Sequence, residues 1–230
     1  MTKLSDLVLR TSDVTGVPLA TVREISRRLR EGGLIRTGKG GRYGGADMTP
    51  HDAARLLTAL LIVRVSASSL ADIVSHTKAY LDLQSHGARG RGFALGNWER
   101  QLGLPELTDL KSGHTLESAF TALIASFLNN QFERRMDKWG SGSVELTIMS
   151  ARPLGGISEP EARITITGDK LWTLLYLRPA AAKYITPTMP TKWSDIFLAE
   201  QFDLSVQSRI SEATLKSVGL LLQDSKTTHG

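Results

Sequence analysis

Arginine side chains concentrate between residues 18 and 30, in a segment whose spacing predicts a helix. Val22, Ile25 and Leu29 recur at intervals of three and four and would form one apolar face. The other faces carry four residues that could donate hydrogen bonds outward: Thr21, Arg23, Arg27 and Arg28. A guanidinium group presents paired N–H donors that match phosphates and the edge of guanine, so these four residues are candidates for contacting DNA bases.

A second basic segment follows directly. Pro18 suits the first position of the helix, and Gly32 and Gly33 suit its end. Leu34 and Ile35 then begin a short extended run that leads into the polar, glycine-rich stretch RTGKGGRYGG. This stretch has too few apolar groups to pack into a core. We interpret it as a hairpin tip whose side chains contact phosphates or the minor groove, namely Arg36, Lys39, Arg42 and Tyr43.

These two segments resemble the winged helix-turn-helix DNA-binding superfamily. The stretch TGVPLATV is similar to the turn into a recognition helix, RRLREGGLI to the end of that helix and the following strand, and RTGKGGRY to a wing. The resemblance covers about the first 50 residues. Thr11 and Ser12 depart from it, because they stand where the preceding helix of such motifs usually has an apolar and a small residue. The resemblance implies a DNA-binding domain over residues 1–48, with double-stranded DNA as its partner.

The charge distribution favours the same interpretation. Residues 1–50 contain nine Lys or Arg and five Asp or Glu, whereas residues 51–230 contain nineteen and eighteen. Most of the net charge of +5 therefore lies in the first 50 residues. Phosphate backbones attract such segments and give binding that depends strongly on salt.

Other residue patterns argue against an enzyme. The five histidines lack the paired spacing of zinc enzymes, GKGG lacks the spacing of a nucleotide-binding P-loop, and no GxSxG is present. We therefore expect no catalytic residues, no metal and no cofactor. Cysteine is absent, and no stretch approaches the roughly 20 apolar residues of a membrane span. These features predict a cytoplasmic protein that does not associate with a membrane.

A larger α+β domain is expected over residues 49–230. Helices are predicted from Pro50, from Leu70 to Leu83, from Thr115 to Lys138, and over SEATLKSVGLLLQ with Ser211 as its cap. The basic, glycine-rich HGARGRGFALGN after the second of these predicts a mobile loop, and the tail DSKTTHG is expected to fray.

Alternating apolar residues predict two half-buried strands at 144–148 and 162–166, joined by RPLGGISEP. The apolar run LWTLLYLRP favours a short buried helix but is equally compatible with a strand. The predicted fold class is α+β, mainly α, with an N-terminal winged helix-turn-helix followed by a helical domain with a β-hairpin.

Two functions are compatible with these patterns. The first is a sequence-specific transcriptional regulator of a bacterium or phage, a repressor acting as a homodimer. The helix from Thr115 to Lys138 is then either a core helix or a dimer helix, and with the apolar helix after Thr49 it offers more hydrophobic surface than the N-terminal module can cover. The alternative is a viral or plasmid packaging or partition protein that binds DNA and forms a larger oligomer. Whether a small-molecule effector exists stays open.

Overall fold

The computed structural model describes residues 2–38, 45–65, 70–89, 110, 113–139, 142–150, 160–167, 171–178 and 206–227. The chain is a mixture of helix and sheet, and helix predominates, as the sequence predicts. In chain order the helices and strands are α1 (Leu4–Thr15), α2 (Leu19–Glu31), α3 (Pro50–Val65), a 3-10 turn (Leu70–Asp72), α4 (Ile73–Leu81), β1 (Gln84–Arg89), α5 (Leu116–Leu128), α6 (Gln131–Trp139), β2 (Ser143–Ser150), β3 (Glu161–Thr167), β4 (Leu171–Leu177), β5 (Val206–Ser211) and α7 (Glu212–Thr227).

The first two helices are joined by a three-residue turn at residues 16–18. Gly16 ends α1 in the left-handed conformation, with φ of 66°, and its N–H donates to Ser12 O at 2.9 Å. The Ser12 hydroxyl spans the turn and donates to Val17 O at 2.8 Å. Thr11, one turn before Thr15, is fully buried. Of the two residues that depart from the superfamily pattern, Thr11 therefore lies in the core and Ser12 forms a hydrogen bond across the turn.

The predicted hairpin is part of a five-stranded antiparallel sheet with the strand order β1-β4-β3-β2-β5. The hairpin itself is confirmed as β2 and β3, where Val144 faces Ile166 and Leu146 faces Ile164, all four buried. The helix favoured for the apolar run LWTLLYL is wrong: this run is strand β4, which lies between β1 and β3 in the sheet.

Two strands were not expected. β1 occupies residues 84–89 and so includes the first four residues of the predicted mobile loop, 86–89; the remainder of that loop lies outside the described residues. β5 lies at the opposite edge beside β2. Both strands are polar and show no apolar alternation, and each forms by adding to an edge that a more apolar strand already presents.

The predicted helix from Thr115 to Lys138 is two helices. It begins as expected, with the Thr115 hydroxyl accepting from the Ser118 N–H. The chain then breaks at Asn130, whose φ of 55° is the left-handed conformation that asparagine tolerates better than most residues. The apolar stripe continues across the break, where the rings of Phe127 and Phe132 stack with centroids 4.4 Å apart.

A single hydrophobic core joins the N-terminal helices to the rest of the chain. α1 packs against α7, and the Thr2 hydroxyl donates to Leu221 O at 2.8 Å. α3 packs against α2, α4, α5 and β5, so its apolar residues from Ala53 to Ile62 are buried within the chain. The apolar residues of α5 are buried in the same way, chiefly against α3 and α7. The apolar surface that these two helices offer is therefore covered inside one chain.

The last helix begins after Ser211, as predicted, and extends to Thr227. Residues 224–227 are thus helical where a frayed tail was expected. No helix in the described ranges is both long enough and apolar enough to cross a membrane.

Candidate nucleic-acid interface

One side of α2 is exposed and carries three arginines, Arg23, Arg27 and Arg30, which follow the exposed Ala20; we call these four positions the basic ridge. These positions are spaced by three and four residues and so lie on one face of the helix. Val22, Ile25 and Leu29, on the opposite face, are completely buried. The amphipathic pattern read from the sequence is confirmed, and the outward side of this helix is lined by guanidinium groups.

Arg27 lies in the middle of the ridge and is held by two carboxylates of its own helix. Its Nε and Nη2 atoms donate to Glu24 at 2.9 and 2.8 Å, and its Nη1 donates to Glu31 at 2.5 Å. Hydrogen bonds from Arg27 and then Arg28 lower the pKa of Glu24 to about 2. The hydrogen bonds to Glu24 and then Glu31 raise the pKa of Arg27. The charge of Arg27 is therefore compensated locally, and its side chain is oriented along the helix.

Arg28 points away from the ridge. It is half-buried, its Nε donates to Glu24 Oε1 at 2.7 Å, and its Nη1 donates to Leu70 O at 3.2 Å. This second bond connects α2 to the 3-10 turn before α4. Gly32 marks the same junction, because a Cβ added there would lie 2.5 Å from a methyl carbon of Val74. In this arrangement Arg28 links two helices.

The other two candidates on α2 differ in exposure. Thr21 is half-buried in the first turn, where its N–H donates to Pro18 O at 2.9 Å. Arg23 is exposed, and within the described part of the chain neither it nor Arg30 forms an ion pair. Arg23 and Arg30 are thus the ridge arginines whose charge is not compensated by a described carboxylate. Arg30 was not among the residues selected from the sequence, although its spacing of three from Arg27 could have indicated it.

Arg36 binds a buried carboxylate. Its Nη2 and Nε donate to Asp52 Oδ2 at 2.8 and 3.1 Å, and its Nη2 also donates to Asp47 O at 2.8 Å. Asp52 accepts from the Thr49 N–H and hydroxyl as well, at 2.9 and 2.7 Å. Burial raises the pKa of Asp52, and the hydrogen bonds from Arg36 and Thr49 lower it by more, so the carboxylate is charged at neutral pH.

Together with these bonds, contacts from the start of the chain hold both ends of the glycine-rich loop. Lys3 Nζ donates to Asp47 Oδ1 at 2.7 Å and to Gly45 O at 2.9 Å, and Met48 N donates to Thr2 O at 2.9 Å. The contact between Arg36 and Asp52 could not be predicted from sequence spacing, because the two residues are 16 positions apart. We refer to Arg36, Asp47, Thr49 and Asp52 as the loop clamp.

The remaining loop candidates, Lys39, Arg42 and Tyr43, lie outside the described residues. On either side of them, residues 34–38 and 45–49 are not in a strand, so the strand that the resemblance implies after the recognition helix is not formed at residues 34–38. A wing therefore stays a prediction from the sequence.

Among the described residues, no group of three or more histidine, aspartate or glutamate side chains is arranged to hold a metal ion. Comparison with known protein families, with characterised proteins and with solved structures finds no match to this chain.

Proposed function

We propose that this protein binds double-stranded DNA in a sequence-specific way, with α2 as its recognition helix. The observation that carries the proposal is the exposed basic ridge on the second of two helices joined by a short turn. From Ala20 to Arg30 the ridge is about 15 Å long at the helical rise of 1.5 Å per residue. A major groove about 12 Å wide admits such a helix.

The ridge arginines have different roles in this proposal. Arg23 and Arg30 contact bases or phosphates directly. Arg27 is oriented by Glu24 and Glu31. To bind DNA it must exchange a carboxylate for an acceptor on the DNA, and this exchange favours DNA sequences that offer the better acceptor. Thr21 lies beside the N-terminal end of the ridge, where recognition helices commonly contact base edges. Lys39, Arg42 and Tyr43 supply contacts to the backbone or the minor groove.

We further propose that the protein acts as a transcriptional regulator, specifically a repressor, and binds as a homodimer. Two copies related by a two-fold axis read two half-sites one helical turn apart, which increases affinity and selectivity. Because the apolar faces of α3 and α5 are covered inside the chain, the proposed dimer uses another surface. A packaging or partition protein would instead form a ring or filament, and light scattering of the DNA complex separates the two.

The test combines site selection with a single substitution. Sequences bound by the full chain are selected from random duplexes, and affinity for the selected site is measured by fluorescence anisotropy. We expect Arg23→Ala to lose about 1 to 3 kcal/mol, roughly five- to 150-fold, and to relax preference at one position of the site. Arg134→Ala removes an exposed arginine from α6 and is the matched control.

An equal loss in both variants would mean that only net charge matters and would contradict base reading by α2. Selection that yields no preferred sequence would contradict sequence-specific binding altogether.

A further inference from the structure

A cleft of about 200 Å³ lies where the turn between α1 and α2 meets the C-terminal half of α3, strands β2 and β5 and the first turn of α7. Its apolar wall consists of aliphatic side chains: Val14, Val17, Leu60, Leu61 and Ile210. Pockets for drug-sized ligands have volumes of about 300 to 1,000 Å³, so this cleft suits a compact molecule.

The polar side of the cleft contains two arginines and one carboxylate. Arg64 comes from α3, Arg209 from β5 and Glu145 from β2. Arg209 Nε lies 3.6 Å from Glu145 Oε1, which is a long ion pair. Among the described residues that line the cleft, the two arginines present guanidinium groups, which bind carboxylates through paired donors. The hydroxyls of Ser211 and Thr214 also line it and can donate hydrogen bonds.

We propose that this cleft binds a small organic carboxylate, with the anion between the arginines and the apolar part of the ligand against the aliphatic wall. Both halves of such a molecule then have a matching surface. A neutral ligand of the same shape would lack the charge-assisted hydrogen bonds that a carboxylate accepts from the guanidinium groups.

The cleft also contacts the turn that sets the position of α2. Arg64 Nη2 donates to the carbonyl of Thr15 at 2.6 Å, and Thr15 is the last residue of α1, directly before Gly16. A carboxylate that binds Arg64 competes with this carbonyl for the guanidinium donors. Resting on the proposed function, we therefore expect the ligand to change the turn before the recognition helix and to weaken DNA binding.

Calorimetry on the full chain tests the cleft with benzoate as the probe and benzamide as its neutral counterpart. We expect saturable benzoate binding in the millimolar range or tighter, and benzamide binding at least tenfold weaker. Arg64→Gln and Arg209→Gln should each weaken benzoate binding at least tenfold, while Arg134→Gln should leave it unchanged. Circular dichroism establishes that each variant is folded.

Equal affinity for benzoate and benzamide, or unchanged benzoate affinity in both cleft variants, would overturn the site. Inorganic phosphate that binds as tightly as benzoate would also overturn it, because the aliphatic wall would then contribute nothing.

The effect on DNA is measured by repeating the anisotropy titration in sodium benzoate and in sodium chloride of equal concentration, since DNA binding depends on salt. We expect benzoate to lower DNA affinity at least fivefold, and DNA to lower benzoate affinity by the same factor. Benzoate binding without any change in DNA affinity would overturn the coupling and leave the site standing. A chain that binds no DNA would refute the proposed function, while calorimetry would still decide the site.

Discussion

Replacing Asp52 with alanine should destabilise the folded chain by about 2 to 4 kcal/mol. The carboxylate is buried and accepts hydrogen bonds from Thr49 at the start of α3 and from the Arg36 side chain. Loss of an acceptor at a helix N-terminus costs about 0.5 to 2 kcal/mol. A hydrogen bond to a charged group contributes about 1.5 to 3 kcal/mol, and the lower end applies here because Arg36 is half exposed to solvent.

Thermal unfolding followed by circular dichroism measures this loss. For a chain of this length each kcal/mol lowers Tm by about 2 to 4 °C, so Asp52→Ala should melt roughly 4 to 16 °C below the parent. Asp82→Ala removes an exposed aspartate after α4 and should change stability by less than about 0.5 kcal/mol. A loss below about 1 kcal/mol for Asp52→Ala, or an equal loss for Asp82→Ala, would refute the reasoning.

A double-mutant cycle between Arg36→Gln and Asp52→Ala separates the two roles considered for Arg36. In the loop clamp the two residues interact directly, and we expect a coupling energy of about 0.5 to 3 kcal/mol. A pure phosphate contact would give no coupling and no loss of stability. It would only flatten the slope of log affinity against log salt by about one unit.

Changes elsewhere in the chain give three more expected results. Glu24→Gln frees Arg27 from one carboxylate, so DNA binding should gain about one phosphate contact, and the slope of log affinity against log salt should steepen by about 0.9. When salt is lowered from 200 to 50 mM, the affinity of the variant should then rise roughly three- to fourfold more than that of the parent. Parallel slopes for the two proteins would contradict this. Because the pKa of Asp52 in the folded chain lies below its ordinary value of 3.8, its stabilising effect is present above that pH and is lost as the pH falls through the folded-state pKa. The Tm difference between the parent and Asp52→Asn should accordingly be constant from pH 8 to 5 and shrink by pH 3, and a difference unchanged at pH 3 would exclude the carboxylate as its source. Gly219→Ala should destabilise by about 1 to 3 kcal/mol in urea unfolding, because the new Cβ would lie 2.8 Å from Phe127 Cβ and 3.2 Å from Leu128 N, whereas Ser217→Ala on the same helix should be close to neutral.

Local patterns predicted those parts of the fold that depend on neighbours in sequence. The boundaries of α2 followed from Pro18 and from the two glycines after Glu31, and its buried face from residues three and four apart. β2 and β3 followed from simple alternation. The break at Asn130 was missed because the apolar spacing continues through it, and a periodicity does not report one residue in a left-handed conformation.

The candidate interface was predicted in part for the same reason. Spacing alone placed Arg23 and Arg27 on the outer side of α2. It could not show that Arg28 reaches Leu70 O, 42 residues away, or that Arg36 binds Asp52. A long, flexible basic side chain takes whichever acceptor the fold brings within reach, and that acceptor need not be near in sequence.

By itself, then, the sequence determined the helix faces, one hairpin and the concentration of positive charge near the N-terminus, because these depend on residue type and on spacing within a few residues. Only the tertiary structure decided that polar segments at residues 84–89 and 206–211 become the edge strands of a sheet, since each is held by backbone hydrogen bonds to a strand distant in sequence. It also decided that Arg28 is half-buried while Arg23, Arg27 and Arg30 stay exposed, because Leu70 O, one of the two acceptors of Arg28, comes near it only on folding.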